Sequence, residues 1–102
     1  RALAILADQI PAEEAQRMGL VWKVFADDQL MAETGKMAAK LASMPTRAYA
    51  LIKQTLNVTH SNSLADQLEL EALLQTEAGR TEDFAEGVAA FREKRPAQFK
   101  GR

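Results

Sequence analysis

Helix-breaking residues at five positions constrain what this chain can fold into. Pro11, Pro45 and Pro96 lack the amide hydrogen that a continuing helix needs. Gly19 is expected to end a helix in the left-handed conformation, and Gly79 is expected to end another helix. Between these positions, apolar residues recur with the three-to-four-residue spacing of amphipathic helices. The sequence therefore predicts a mainly α chain built from short and medium-length helices.

The breakers and the apolar spacing together predict six helices. Ser63 and Thr81 are the predicted N-caps of the last two helices, because their hydroxyl groups can accept a hydrogen bond from a free backbone amide. Leucines in the fifth helix cover more than one face, so we expect this helix to pack on more than one side. Phe84, Val88 and Phe91 form the predicted inner face of the last helix. The predicted helices cover residues 1–8, 12–18, 28–43, 45–59, 64–78 and 82–95.

Residues 20–25 are the exception, because they are dense in residues that favour strands. We expect one short strand here, paired with other sequence or with another subunit, since a lone strand cannot satisfy its backbone. The chain also opens at Arg1, without a methionine, on residues that read as the interior of a helix. We therefore expect a segment cut from a longer polypeptide.

Composition excludes several classes of function. Without cysteine, disulfides and thiolate metal sites are impossible, and a reducing, cytoplasmic location fits. Thirteen basic and 14 acidic residues give a net charge of −1, which argues against nucleic acid as a partner. The longest uncharged stretch has about 12 residues, which is too short for a membrane span. His60 is the single histidine, so we expect neither a metal site nor a catalytic residue in this chain.

A basic cluster at the end of the chain is the candidate binding site. Residues 91–102 contain five basic residues and one acidic residue. These charges can simply complement the negative end of the last helix dipole. Alternatively, they form an anion site in which the Phe91 ring stacks on a base and Lys94 supplies a point charge.

Several motifs resemble one family in their order along the chain. The last helix carries Glu-Gly, Ala-Phe and Lys-Arg pairs followed by a proline and a phenylalanine, at residues 86–87, 90–91, 94–96 and 99. Similar upstream motifs lie at residues 10–15, 17–21, 44–45, 52–53 and 68–71. Together they resemble the C-terminal segment of the crotonase (enoyl-CoA hydratase/isomerase) superfamily. Residues 78–84 and 98–102 are most similar to the phenylacetate-degradation branch, which includes the isomerase of 1,2-epoxyphenylacetyl-CoA.

The resemblance implies a fold and an assembly. Residues 1–25 would end a spiral domain, and residues 26–102 would form the helical C-terminal domain of the crotonase fold. The N-terminal catalytic domain, with its oxyanion amides and carboxylates, would lie outside this chain, so the chain alone is expected to be inactive. The parent enzyme would act on an acyl-CoA thioester as a trimer or hexamer.

The resemblance also implies roles for particular residues. The positions of Phe91 and Lys94 approach the adenine and a phosphate of coenzyme A, and no cofactor beyond this part of the substrate is implied. Gln75 stands where hydratases often have an aromatic residue, and Trp22 stands where most have asparagine. The acyl group and the choice between isomerase and hydratase chemistry stay open. The rival hypothesis is a helical protein-interaction module with no role in coenzyme A binding.

Overall fold

The computed structural model describes residues 2–102, and this part of the chain is mainly helical, as predicted. It divides into two compact units, Arg1–Gly35 and Lys36–Arg102, with the division inside the third helix. The helices of the described residues are α1 (Ala2–Leu6), α2 (Ala12–Arg17), α3 (Asp27–Ala42), α4 (Thr46–Val58), α5 (Leu64–Gly79) and α6 (Glu82–Glu93).

In the first unit, the two short helices end close to where the sequence predicts. Helix α1 ends at Leu6, and Arg1, the first residue of the predicted helix, lies outside the described residues. Helix α2 ends in a Schellman motif at Gly19, whose φ of 78° is left-handed. The Gly19 amide donates to the carbonyl of Gln16 (3.0 Å), and the next amide donates to that of Ala15 (2.8 Å). The predicted glycine cap is thereby confirmed.

The predicted strand at residues 20–25 is wrong for this chain. These residues form bends and irregular backbone, and no β-ladder occurs anywhere in residues 2–102. A strand needs a neighbour at hydrogen-bonding distance, and the described residues provide none. Instead, the Lys23 ammonium lies 4.9 Å from the ring centroid of Phe25 and 6.0 Å from that of Trp22. Strand propensity reflects how well side chains pack on an existing sheet, so residues with this propensity form a strand only where a neighbouring strand is present.

In the second unit, α5 packs against both α4 and α6. Leu51 of α4, Leu74 of α5 and Ala90 of α6 are its buried apolar residues. Both predicted N-caps are confirmed: the Ser63 hydroxyl accepts from the Asp66 amide, and the Thr81 hydroxyl accepts from the Phe84 amide.

The predicted inner face of α6 is not an inner face within the described chain. Phe84 is 55% exposed and Phe91 is 85% exposed, and Val88 is also exposed. The spacing correctly places these three side chains on one side of the helix, but α6 instead buries Asp83 and Ala90. Periodicity identifies an apolar face and does not identify what covers it. In the same way, the α5 leucines at 64, 68 and 73 are exposed although α5 contacts two helices.

Candidate functional site

Two open apolar grooves mark the surface of the second unit. The α4–α5 groove has a volume of about 340 Å³, and α4 residues between Ala48 and Leu56 form one of its walls. Leu74 and Gln75 line its opposite wall. Gln75 therefore borders this groove, whereas Phe91 borders the second one.

The second groove, the α6 groove, has a volume of about 450 Å³. Phe84, Val88 and Phe91 line it from α6, and Pro45 lines it from the start of α4. Arg92 contributes a cationic side chain to a lining that is otherwise largely apolar. An open groove of this size and apolar character can accept an apolar group.

Lys94 follows directly after the last residue of α6 and has left-handed backbone geometry (φ 54°, ψ 38°). The helix ends there in a Schellman motif, because the Lys94 amide donates to the Phe91 carbonyl (3.4 Å) and the Arg95 amide donates to the Ala90 carbonyl (3.1 Å). Residues other than glycine rarely adopt this backbone conformation. Within residues 2–102, the Lys94 ammonium has no hydrogen bond or ion pair. Lys94 and Phe91 thus both present accessible groups at the end of α6.

The basic cluster is not a set of equivalent charges. The Arg95 guanidinium binds both carboxylate oxygens of Glu86 (2.6 and 2.9 Å) and also donates to Glu93 (2.6 Å). Arg102 pairs with Glu82 at 3.3 Å. In the part of the chain that the structure describes, the other three cations of the cluster, Arg92, Lys94 and Lys100, form no hydrogen-bonded ion pair. Lys100 interacts with the Glu86 carboxylate only through charge attraction.

Two carboxylates that the sequence did not single out organise this region. Asp83 is only 3% exposed, and its two oxygens accept the backbone amides of Lys100 (2.6 Å) and Gly101 (2.8 Å). The Arg95 guanidinium, together with the Gln98 amide, lowers the pKa of Glu86 from 4.5 to about 2. In the sequence, Asp83 falls at the start of the predicted helix 82–95, and Glu86 falls in the motif at residues 86–87. Their partners lie 9 to 18 residues away, beyond the reach of local patterns.

His60 is exposed, and the described residues contain no group of three or more acidic or histidine side chains placed to bind a metal. Among residues 2–102, no helix combines the length and apolar character that a bilayer crossing requires.

Comparison with known proteins gives a consistent result. The profile of the family described as "Enoyl-CoA hydratase/isomerase" matches residues 1–102. A "Probable enoyl-CoA hydratase" of Rhodobacter capsulatus is 47% identical over 100 residues, which are 98% of this chain and 39% of that protein. The "1,2-epoxyphenylacetyl-CoA isomerase" of Escherichia coli is 45% identical over 101 residues, 98% of this chain and 38% of that protein. The chain thus spans about two-fifths of the length of these relatives.

Solved structures agree in fold. A putative enoyl-CoA hydratase/isomerase of Mycobacterium abscessus superposes with a TM-score of 0.94 at 34% identity, covering 99% of this chain and 39% of that one. An enoyl-CoA hydratase subunit of Geobacillus kaustophilus gives a TM-score of 0.92 at 34% identity, covering all of this chain and 40% of its own. The described helices are therefore those of a crotonase-type helical segment.

Proposed function

Since this chain belongs to the enoyl-CoA hydratase/isomerase family, we propose that it is the helical C-terminal part of an acyl-CoA hydratase or isomerase. Its roles would be to bind coenzyme A, to cover the acyl pocket and to contribute to oligomer contacts. The rest of the enzyme would then supply the two backbone amides that polarise the thioester carbonyl and the carboxylate that moves a proton beside it. The chain alone would convert no substrate.

The end of α6 is the observation that carries the proposed coenzyme A site. An adenine ring needs an aromatic face, and Phe91 has one that is 85% exposed. A phosphate needs a cation that is not already neutralised. Lys94 meets this need because its ammonium has no partner in residues 2–102, whereas the neighbouring Arg95 is held by two carboxylates.

The α6 groove supports the proposed cover over the acyl pocket. Phe84, Val88 and Phe91 are large apolar side chains on one face, and the second unit leaves them 55%, 37% and 85% exposed. Exposed apolar area of this kind is typical of a binding surface. It also favours the second candidate function, a helical interaction module without coenzyme A. In that alternative, a partner protein would bind in the grooves, and Lys94 would have no role in binding.

The reaction branch is a finer proposal. We favour the isomerase branch, because the chain's closing residues, 78–84 and 98–102, are most similar to that branch. The E. coli isomerase and the R. capsulatus hydratase match this chain at 45% and 47% identity, so overall identity does not separate the two branches. Assaying the full-length polypeptide with a ring-epoxide CoA ester and with a straight-chain enoyl-CoA separates them.

Binding of coenzyme A by Lys94 variants tests the proposed site. Replacing Lys94 by alanine in the full-length polypeptide removes one charge-assisted hydrogen bond, worth about 1.5 kcal/mol at a solvent-open site. We expect the Kd for coenzyme A, measured by titration calorimetry, to rise roughly tenfold. This loss should shrink as ionic strength rises, because salt screens an exposed ion pair.

Arg92→Ala and Lys100→Ala are the matched controls, since each removes a cation of the same cluster that forms no hydrogen-bonded ion pair in the described residues. We expect each to change the Kd by less than Lys94→Ala does. Equal losses for all three variants would show general electrostatic attraction without a site at Lys94. If none of the three changes the Kd, the interaction-module hypothesis is favoured.

A further inference from the structure

The end of the chain folds back along α6 instead of projecting into solvent. We call residues 95–102 the C-terminal strap. The Asp83 carboxylate accepts two strap amides, from Lys100 and Gly101, while the Asp83 amide donates to the carbonyl of Arg102 (3.0 Å). Three hydrogen bonds therefore join Asp83, in the first turn of α6, to the last residues of the chain.

Glu86 holds the other end of the strap. It binds the Arg95 guanidinium through both oxygens, and one of these oxygens also accepts the Gln98 amide (2.8 Å). Bidentate pairs of this kind restrict orientation as well as distance. Glu86 lies about one turn after Asp83 on the same helix, so two neighbouring carboxylates fix the strap at both ends.

Gly101 shows that the strap has a defined path. Its φ of 76° is left-handed, and a Cβ at this position would lie 2.5 Å from the Thr46 hydroxyl oxygen. Only glycine satisfies both conditions without displacing Thr46. The strap therefore passes close to the first residue of α4 before it ends.

Lys94 is the residue whose geometry depends on this arrangement. It lies between Glu93 and Arg95, and the Arg95 guanidinium contacts Glu93 and Glu86 simultaneously. The chain must reverse direction at Lys94 for Arg95 to reach Glu86, and the left-handed backbone makes that reversal. Since this conformation disfavours a lysine, the surrounding contacts have to impose it.

We propose that Asp83 and Glu86 are positioning residues that hold Lys94, through the C-terminal strap, in the orientation in which its ammonium meets the phosphate. This inference rests on the proposed coenzyme A site and deepens it. An ordinary helix end explains less, because a Schellman motif needs neither a lysine at its left-handed position nor two carboxylates holding the following residues.

A double-mutant cycle tests whether Glu86 acts through Lys94. The variants of the full-length polypeptide are Glu86→Gln, Lys94→Ala and the double variant, and the measurement is the Kd for coenzyme A at constant ionic strength. Glutamine keeps an acceptor for the Gln98 amide but loses the charged bidentate pair with Arg95. We expect Glu86→Gln alone to raise the Kd about three- to tenfold. In the Lys94→Ala background, it should add no further loss.

Glu77→Gln is the matched control. It removes the same charge and breaks an ion pair with Arg47, and neither of these residues lies on α6 or in the strap. We expect the Kd of this variant to be unchanged. If Glu86→Gln lowers the helical content in circular dichroism, Gly101→Ala carries the same test, because it displaces the strap without altering any charge.

The outcomes separate the two proposals. If Lys94→Ala leaves the Kd unchanged, the coenzyme A site itself is misplaced, and the positioning role fails with it. If Lys94→Ala weakens binding while Glu86→Gln and Gly101→Ala do not, the site stands and the positioning role is refuted. Losses that multiply in the double variant would likewise show that Glu86 acts independently of Lys94.

Discussion

Replacing Lys94 by glycine should stabilise the fold while weakening the proposed site. In the left-handed conformation that Lys94 adopts, a residue with a Cβ destabilises the fold by roughly 1–2 kcal/mol, whereas glycine does not. Glycine also has more conformational freedom in the unfolded chain, and this stabilises the unfolded state by about 0.5–1 kcal/mol relative to lysine. The expected net gain is therefore about 0.5–1 kcal/mol, equivalent to an increase in Tm of roughly 2–8 °C for a unit of this size.

Thermal unfolding followed by far-UV circular dichroism measures this gain. Lys94→Ala separates the backbone from the charge, because alanine loses the ammonium and keeps the left-handed cost. Arg92→Gly is the second control, since Arg92 lies within α6, where glycine destabilises by about 1 kcal/mol. The reasoning is refuted if the Tm of Lys94→Gly does not exceed that of Lys94→Ala. Coenzyme A affinity should fall in both Lys94 variants, so one substitution raises stability and lowers binding.

Two further predictions concern association and pH. Because the grooves leave large apolar side chains exposed, light scattering on the 102-residue chain should show a dimer or a larger species. Val88→Asp places a charge in the α6 groove and should reduce this association. Ala85→Asp places the same charge outside both grooves and should not reduce it. A monomer at high micromolar concentration would contradict this expectation. The second prediction follows from the depressed pKa of Glu86. A carboxylate whose pKa is lower in the folded chain than in the unfolded chain stabilises the fold fully at a pH above the unfolded pKa. This stabilisation is lost as the pH falls toward the folded pKa. The Tm difference between the original chain and Glu86→Gln should thus be constant above pH 4.5 and shrink from there toward pH 2, and a difference independent of pH would contradict the assigned pair.

Local signals predicted the helices of this chain well. Ser63, Thr81 and Gly19 act on backbone groups only a few residues away, so their roles can be read from neighbouring sequence. The predicted helix ends lie within a few residues of the observed ones for the same reason. The strand at residues 20–25 failed because its formation depends on a partner, which no local pattern provides.

The site was predictable only in part. The sequence singled out Phe91 and Lys94 through a resemblance, and their role in binding stays a prediction. It could not distinguish the cations of the basic cluster, because the pairing of Arg95 depends on a chain reversal at Lys94. A left-handed lysine carries no sequence signature, since glycine is the residue that normally marks such a position.

In the second unit, buried polar groups all have hydrogen-bond partners, whereas several large apolar side chains remain exposed to solvent. No buried side-chain nitrogen or oxygen in the described residues lacks a hydrogen-bond partner, and Asp83 uses both of its oxygens within the unit. Phe84, Val88 and Ile52, by contrast, remain exposed on the grooves. The contacts of the strap lie within residues 36–102, whereas the groove side chains remain exposed there. We therefore expect substitutions in the strap to act at Lys94, and substitutions in the grooves to act on the surfaces that we propose for the acyl pocket and for subunit contact.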